Sequence, residues 1–93
     1  MAVRVRLPVT LRDLPGVKAV ITLPGQPGTV ADAFAELWRE LPSLRDRVLT
    51  ETGDVREHVQ VFVGVESIRY TGGLATAVPE GIEISIVPAV SGG

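Results

Sequence analysis

Apolar and charged residues alternate from the start of the chain. In VRVRLPV, residues 3–9, Val3, Val5, Leu7 and Val9 fall on one side and Arg4, Arg6 and Pro8 on the other. A period of two belongs to a strand with one face buried. VKAVITL, residues 17–23, repeats the pattern through Val17, Ala19, Ile21 and Leu23. Between the two runs LRDLPG carries the turn signal Pro15-Gly16, so the segment predicts a β-hairpin. Pro8 has no N–H to give a ladder and fits near a strand end or a bulge.

After the break LPGQPG the period changes. Val30, Ala33, Phe34, Leu37, Trp38 and Leu41 recur at spacings of three and four, with Asp32, Glu36, Arg39 and Glu40 on the other side. This is an amphipathic helix, and its aromatic stripe reads as core contact rather than as a ligand box. Thr29 is placed to cap it, with Asp32 as a shortened capping-box partner. Pro42 ends it at or just before Leu41.

Residues 43–57 are polar apart from a few apolar positions that include Leu44, Val48 and Leu49, and predict a helical turn followed by a loop through Gly53-Asp54. HVQVFVG is a strand, with Val59, Val61 and Val63 directed one way and Gln60 and Phe62 the other. Gly64-Val65 predicts a turn with glycine at its first central position, and Ile68-Arg69-Tyr70 a short return strand. TGGLATAVPEG reads as a loop with Leu74 and Val78 tucked inward. EISIV is the last strand, Ile84 and Ile86 alternating with Glu83, Ser85 and Val87.

The order β-β-α-β-β-β with one long helix predicts a two-layer α+β domain, the helix covering one face of a sheet. A β-grasp arrangement fits, with the final strand beside the first, although the pattern alone leaves that pairing open. The uncovered face would present Phe62 and Val87, either as an apolar docking patch or as ordinary isolated exposed residues.

Composition narrows the function. Ninety-three residues suit one small domain. Nine basic residues are scattered among eleven acidic ones, which argues against a nucleic-acid partner. The absence of cysteine excludes disulfides, thiolate metal sites and a cysteine nucleophile. His58, the single histidine, cannot build a histidine zinc site. The first residues lack a signal peptide's apolar run, and no apolar stretch reaches membrane-spanning length. The expected setting is the cytoplasm, with no membrane partner. Gly72-Gly73 lacks the strand–glycine–helix context of a nucleotide fingerprint, and no catalytic triad is apparent, so an enzyme active alone is not expected.

PAVSGG follows the last strand. Glycine buries nothing and loosens a chain. Residues 89–93 therefore read either as a frayed end or as a thin tail that something outside the domain requires. The expected organisation is a domain over 1–88 with a flexible tail over 89–93.

TVADAFAEL, the run Arg69-Tyr70-Thr71-Gly72-Gly73-Leu74-Ala75-Thr76-Ala77 and the ending Pro88-Ala89-Val90-Ser91-Gly92-Gly93 together resemble the ubiquitin-like sulfur carriers of the MoaD/ThiS family. The resemblance covers essentially the whole chain. Within that family it points to the CysO type, the carriers of thiocarboxylate-dependent cysteine biosynthesis. It departs from the family at Gly64-Val65, often an Asn-Gly-like turn, and at Gly81-Ile82, often Gly-Asp. Both bear on loop shape and partner choice.

The resemblance implies a β-grasp fold, a mixed sheet of four to five strands with one main helix packed on one face. It implies a protein cosubstrate rather than an enzyme, or else the small subunit of a synthase. An E1-like adenylyltransferase/sulfurtransferase would use ATP to adenylate the Gly93 carboxylate, with Gly92 beside it, and sulfur would replace AMP. The thiocarboxylate would then attack an aminoacrylate bound to the PLP of a cysteine synthase. The carrier itself would bind no cofactor or metal. A metalloprotease that releases the product completes the implied partners. Phe62, Val87, Val90 and Arg69 are the expected partner-binding residues. The alternatives are a molybdopterin synthase small subunit, which would meet that enzyme's large subunit, a ubiquitin-like modifier joined to lysines, and an interaction domain with an inert tail.

Overall fold

The computed structural model describes residues 2–12 and 17–88. Five strands form one sheet: β1 (Arg4–Arg6), β2 (Val20–Thr22), β3 (Val59–Val63), β4 (Glu66–Ser67) and β5 (Glu83–Pro88). Their order is β2-β1-β5-β3-β4. β1 and β5 run parallel, and the other neighbours are antiparallel. The last strand therefore lies between the first and the third, the mixed sheet of a β-grasp fold. The predicted Pro15-Gly16 turn of the first hairpin lies outside the described residues.

Helix α1 (Val30–Glu40) covers one face, and a single turn α2 (Arg45–Val48) follows the short 3-10 turn Pro42–Leu44. Val30, Ala33, Phe34 and Leu37 of α1 are buried against Val5, Val59, Val61, Ile84 and Ile86 of the sheet. Trp38 is partly buried and stands beside Phe34, ring centroids 5.1 Å apart. Both strand parity and helical spacing therefore fall as the hydrophobic pattern requires.

The start of α1 is fixed locally. The Asp32 N–H donates to Thr29 Oγ1 at 3.2 Å, satisfying one of the helix's free amides. Thr29→Ala is expected to cost about 1 kcal/mol, read as a lower denaturant midpoint at unchanged slope. The other end follows from Pro42: Leu41 leaves helical geometry while its N–H still donates to Leu37 O at 2.8 Å.

Three details differ from the sequence pattern, and a fourth was not signalled by it. Val9 is 73% exposed rather than inward, because β1 ends at Arg6 and the 3-10 turn Val9–Leu11 brings Leu11 into the core instead. The return strand is Glu66–Ser67, while Ile68–Tyr70 is a 3-10 turn. There the Arg69 N–H donates to Ser67 Oγ at 3.3 Å, a local side-chain bond that competes with the ladder. Glu36 is not purely solvent-facing, since its carboxylate accepts the Gly25 N–H at 2.8 Å and ties the preceding loop to the helix. Thr76, which carried no expectation, is buried, and its hydroxyl donates to Gly73 O at 2.7 Å.

Gly64 has φ +62°, the value needed at the first central position of the β3–β4 turn. The following loop is pinned to the start of α1, with the Val30 N–H donating to Thr76 O and the Val78 N–H to Gly28 O, both at 3.0 Å. Val78 is buried and Leu74 partly so, as expected.

Candidate functional site

β5 lies in the middle of the sheet and ends at Pro88, where the predicted tail would begin. It is paired on both sides, by Arg4–Arg6 of β1 over its first half and by β3 from Ile84 to Pro88, the last pair being Val59 with Pro88. The predicted tail residues Val90, Gly92 and Gly93 lie outside the described residues, and what the structure defines is the base from which they depart.

Beside that base is the sheet face that α1 leaves uncovered. Register places Phe62 opposite Ser85 and Gln60 opposite Val87. Phe62 and Val87 are therefore diagonal neighbours on one face, at a typical separation of about 7–8 Å. Both are half-buried. Sequence parity alone thus located two of the expected partner-binding residues on one surface.

Arg69 sits elsewhere. It is exposed in the 3-10 turn after β4, where it lines a pocket of about 230 Å³ with Gln60, Ser67, Arg56 and Asp54. It stands at the β4 edge of the sheet, and its pocket reaches Gln60, paired with Val87, and Ser67, paired with Phe62.

A second depression, of about 240 Å³, lies at the tail's root between Pro8, Thr10, Leu11, His58, Val87 and Pro88. Sequence reading did not join these residues. Only the parallel β1–β5 pairing brings Pro8 alongside the end of β5, and parallel pairing leaves no local signature.

The electrostatics of the open face centre on one ion pair. Arg6 Nε donates to Glu83 Oε1 at 2.8 Å, with a longer second contact of 3.4 Å to Oε2. The hydrogen bond to Arg6 holds the Glu83 carboxyl below its ordinary range, with Arg4 adding a smaller attraction. The same bond raises the Arg6 guanidinium. The pair is solvated, so its weight lies in fixing side-chain positions more than in stability. Among the described residues no His, Asp or Glu cluster could hold a metal, and no helix is long and apolar enough to cross a membrane.

The ThiS family model matches residues 5–93. The chain belongs to the ThiS family. Among ThiS-family relatives, the sulfur carrier protein CysO of Mycobacterium tuberculosis is 30% identical over 95 residues, covering 100% of both chains. Small archaeal modifier protein 3 of Haloferax volcanii is 31% identical over 93 residues, again covering 100% of both. A chain in the crystal structure of the Amycolatopsis orientalis BexX/CysO complex superposes with a TM-score of 0.85 at 29% identity, over 99% of this chain and 100% of that one. Its full-length relatives thus include one named as a sulfur carrier and one named as a small archaeal modifier.

Proposed function

We propose that this ThiS-family protein carries sulfur as a thiocarboxylate on Gly93 and delivers it in cysteine biosynthesis, in the cytoplasm. The observation that carries the reading is the family match running through residue 93, supported by full-length similarity to CysO. In this reading residues 1–88 are the handle and 89–93 the working tail.

The chemistry requires an activated carboxyl. A free carboxylate is a poor acyl donor, because its leaving group would be oxide. A Gly93 oxygen attacks the α-phosphorus of ATP on an E1-like enzyme and expels pyrophosphate. A sulfur nucleophile then attacks the carbonyl carbon of the mixed anhydride, and AMP leaves with the bonding electrons. The product is a soft sulfur nucleophile. Its acceptor is an electrophile supplied by a PLP enzyme, where the cofactor performs the demanding chemistry and the carrier supplies position.

Geometry supports the division of labour. Five extended residues reach about 16–18 Å, long enough for a terminus to enter a buried site while the domain stays outside. Without Cβ atoms, Gly92 and Gly93 pass where other residues would crowd the channel wall. Phe62 and Val87 offer an apolar surface near the tail's base, Val90 adds an apolar contact along the tail, and Arg69 offers a cation at the neighbouring edge. Phe62→Asp is expected to weaken binding to the activating enzyme by about tenfold or more with the melting temperature nearly kept. A melting temperature lowered as by a core mutation would place Phe62 in the core.

The deciding experiment is intact mass after incubation with ATP, a sulfide source and the cognate E1-like enzyme. Oxygen-to-sulfur exchange at Gly93 is expected, and an unchanged mass with active enzyme refutes the carrier reading. The similarity to a small archaeal modifier protein favours one second reading, conjugation of Gly93 to target lysines. Branched peptides in a digest of cellular conjugates would reveal it. Lys18 is the only lysine of this chain, so side-chain-linked polymers of the protein would run through Lys18 alone. Transfer to a molybdopterin synthase large subunit differs only in the acceptor, and the same loaded protein tests both.

A further inference from the structure

The uncovered sheet face has the opposite charge to the rest of the molecule. Arg4 and Arg6 are exposed and share this face with Thr22 and Val20 of β2. The Leu7 N–H donates to Ala19 O at 2.8 Å, continuing the β1–β2 register so that Lys18 lies across from Pro8, on the side of Val20 and Thr22. Lys18 is exposed too. Glu83, opposite Arg4, is the one acidic residue on the strands of this face, and it is bound to Arg6.

The face thus takes three of the nine basic residues and one of the eleven acidic ones, leaving six against ten for the remainder. On the opposite layer α1 carries Asp32, Glu36 and Glu40 against Arg39 alone. Neither Arg4 nor Lys18 forms an ion pair with a described residue, while Arg6 is held by Glu83. A protein of net charge −2 therefore carries an excess of positive charge on one face, spread along β1 and β2 from Arg4, opposite the start of β5, to Lys18, near its end.

We infer that this face docks on an acidic protein surface beside the tail-binding channel of the activating enzyme, with Arg4 and Lys18 as steering cations around the apolar contact made by Phe62 and Val87. The inference rests on the carrier reading and names the chemistry of its partner. Opposed charge at such an interface raises the association rate and fixes orientation more than it deepens affinity. A carrier that must dock, be charged and leave gains from fast association without slow release. The half-buried Phe62 and Val87 in the middle of the face, together with the net negative charge, favour a protein over a nucleic acid.

The test compares wild type, Arg4→Glu/Lys18→Glu, and the single variants Arg4→Glu, Lys18→Glu and Arg39→Glu. Association with the immobilised E1-like enzyme is measured without ATP across a salt series, and sulfur loading is measured separately. The double reversal is expected to slow association about tenfold or more at low ionic strength, to flatten its salt dependence, and to leave kcat for loading unchanged. Arg39→Glu makes the same charge change on the helix as either single reversal makes on the face, and is expected to have little effect where Arg4→Glu and Lys18→Glu each slow association.

Equal slowing by Arg39→Glu would mean that net charge alone matters and would overturn the inference. So would salt-independent association of the wild type, or a random-sequence oligonucleotide that binds the wild type and not the double reversal. Loss of sulfur exchange with charge-dependent docking intact would sink the carrier reading alone. All the substituted residues are exposed, and none forms a side-chain ion pair with a described residue; because Arg4→Glu faces Glu83 across the ladder, melting temperatures serve as the folding control.

Discussion

Deleting Gly92 and Gly93 is expected to abolish sulfur loading and leave the melting temperature unchanged. The last described ladder pair is Val59 with Pro88, and every described residue of the hydrophobic core lies before it. Truncation after Ser91 therefore leaves all described core contacts in place. It does withdraw the reacting carboxylate from the activating site by two residues, about 6.6–7.2 Å of extended chain. A displacement of about 1 Å can already cost about 100-fold in rate, so the loss should exceed the range of an ordinary assay. Gly93→Ala and an extra residue after Gly93 test the same point more gently, the first by crowding the carbonyl and the second by misplacing it. Both should reduce kcat for loading far more than binding of the body to the enzyme. Normal loading of an extended protein whose added residue is still attached would refute the role of Gly93.

Phe34→Ala is expected to destabilise the fold by about 3–5 kcal/mol. Phe34 is 2% exposed, lies on α1's buried face and packs against Trp38 with the two rings tilted. Truncating it opens a cavity that the surrounding β-branched side chains fill poorly, because stiff rotamers relax little. For a domain of this size each kcal/mol lowers Tm by about 4–8 °C. Thermal melts of Phe34→Ala and Phe62→Asp side by side make a sharp contrast, since the two phenylalanines lie on opposite sides of one sheet. A Phe34→Ala protein melting within a few degrees of wild type would show that α1 contributes far less than its burial implies.

Much of this was legible beforehand, because alternation and helical spacing report burial directly. Val59, Val61 and Val63 against Gln60 and Phe62 fixed the parity of β3, and the same rule placed Val87 on the uncovered face. Thr29 and Pro42 marked the ends of α1 by local chemistry alone. What escaped was set by contacts distant in sequence or by competing local bonds. Val9 continued the alternation on paper, but nothing in the run announced that the ladder ends at Arg6. Ile68-Arg69-Tyr70 has good strand composition, yet Ser67 captures the Arg69 N–H and turns the chain. The charge asymmetry was invisible in the bare count, since it appears only when Arg4, Arg6 and Lys18 are laid on one face.

The position of β5 has a mechanical consequence. A strand gripped by neighbours on both sides cannot be peeled away one bond at a time, as an edge strand can. Tension applied at the terminus, whether by an enzyme withdrawing from a deep cleft or by an unfoldase hauling on a conjugate, loads the β1 and β3 ladders in shear. Many hydrogen bonds must then fail together, and the body should survive repeated extraction that would unravel a protein tethered through its edge.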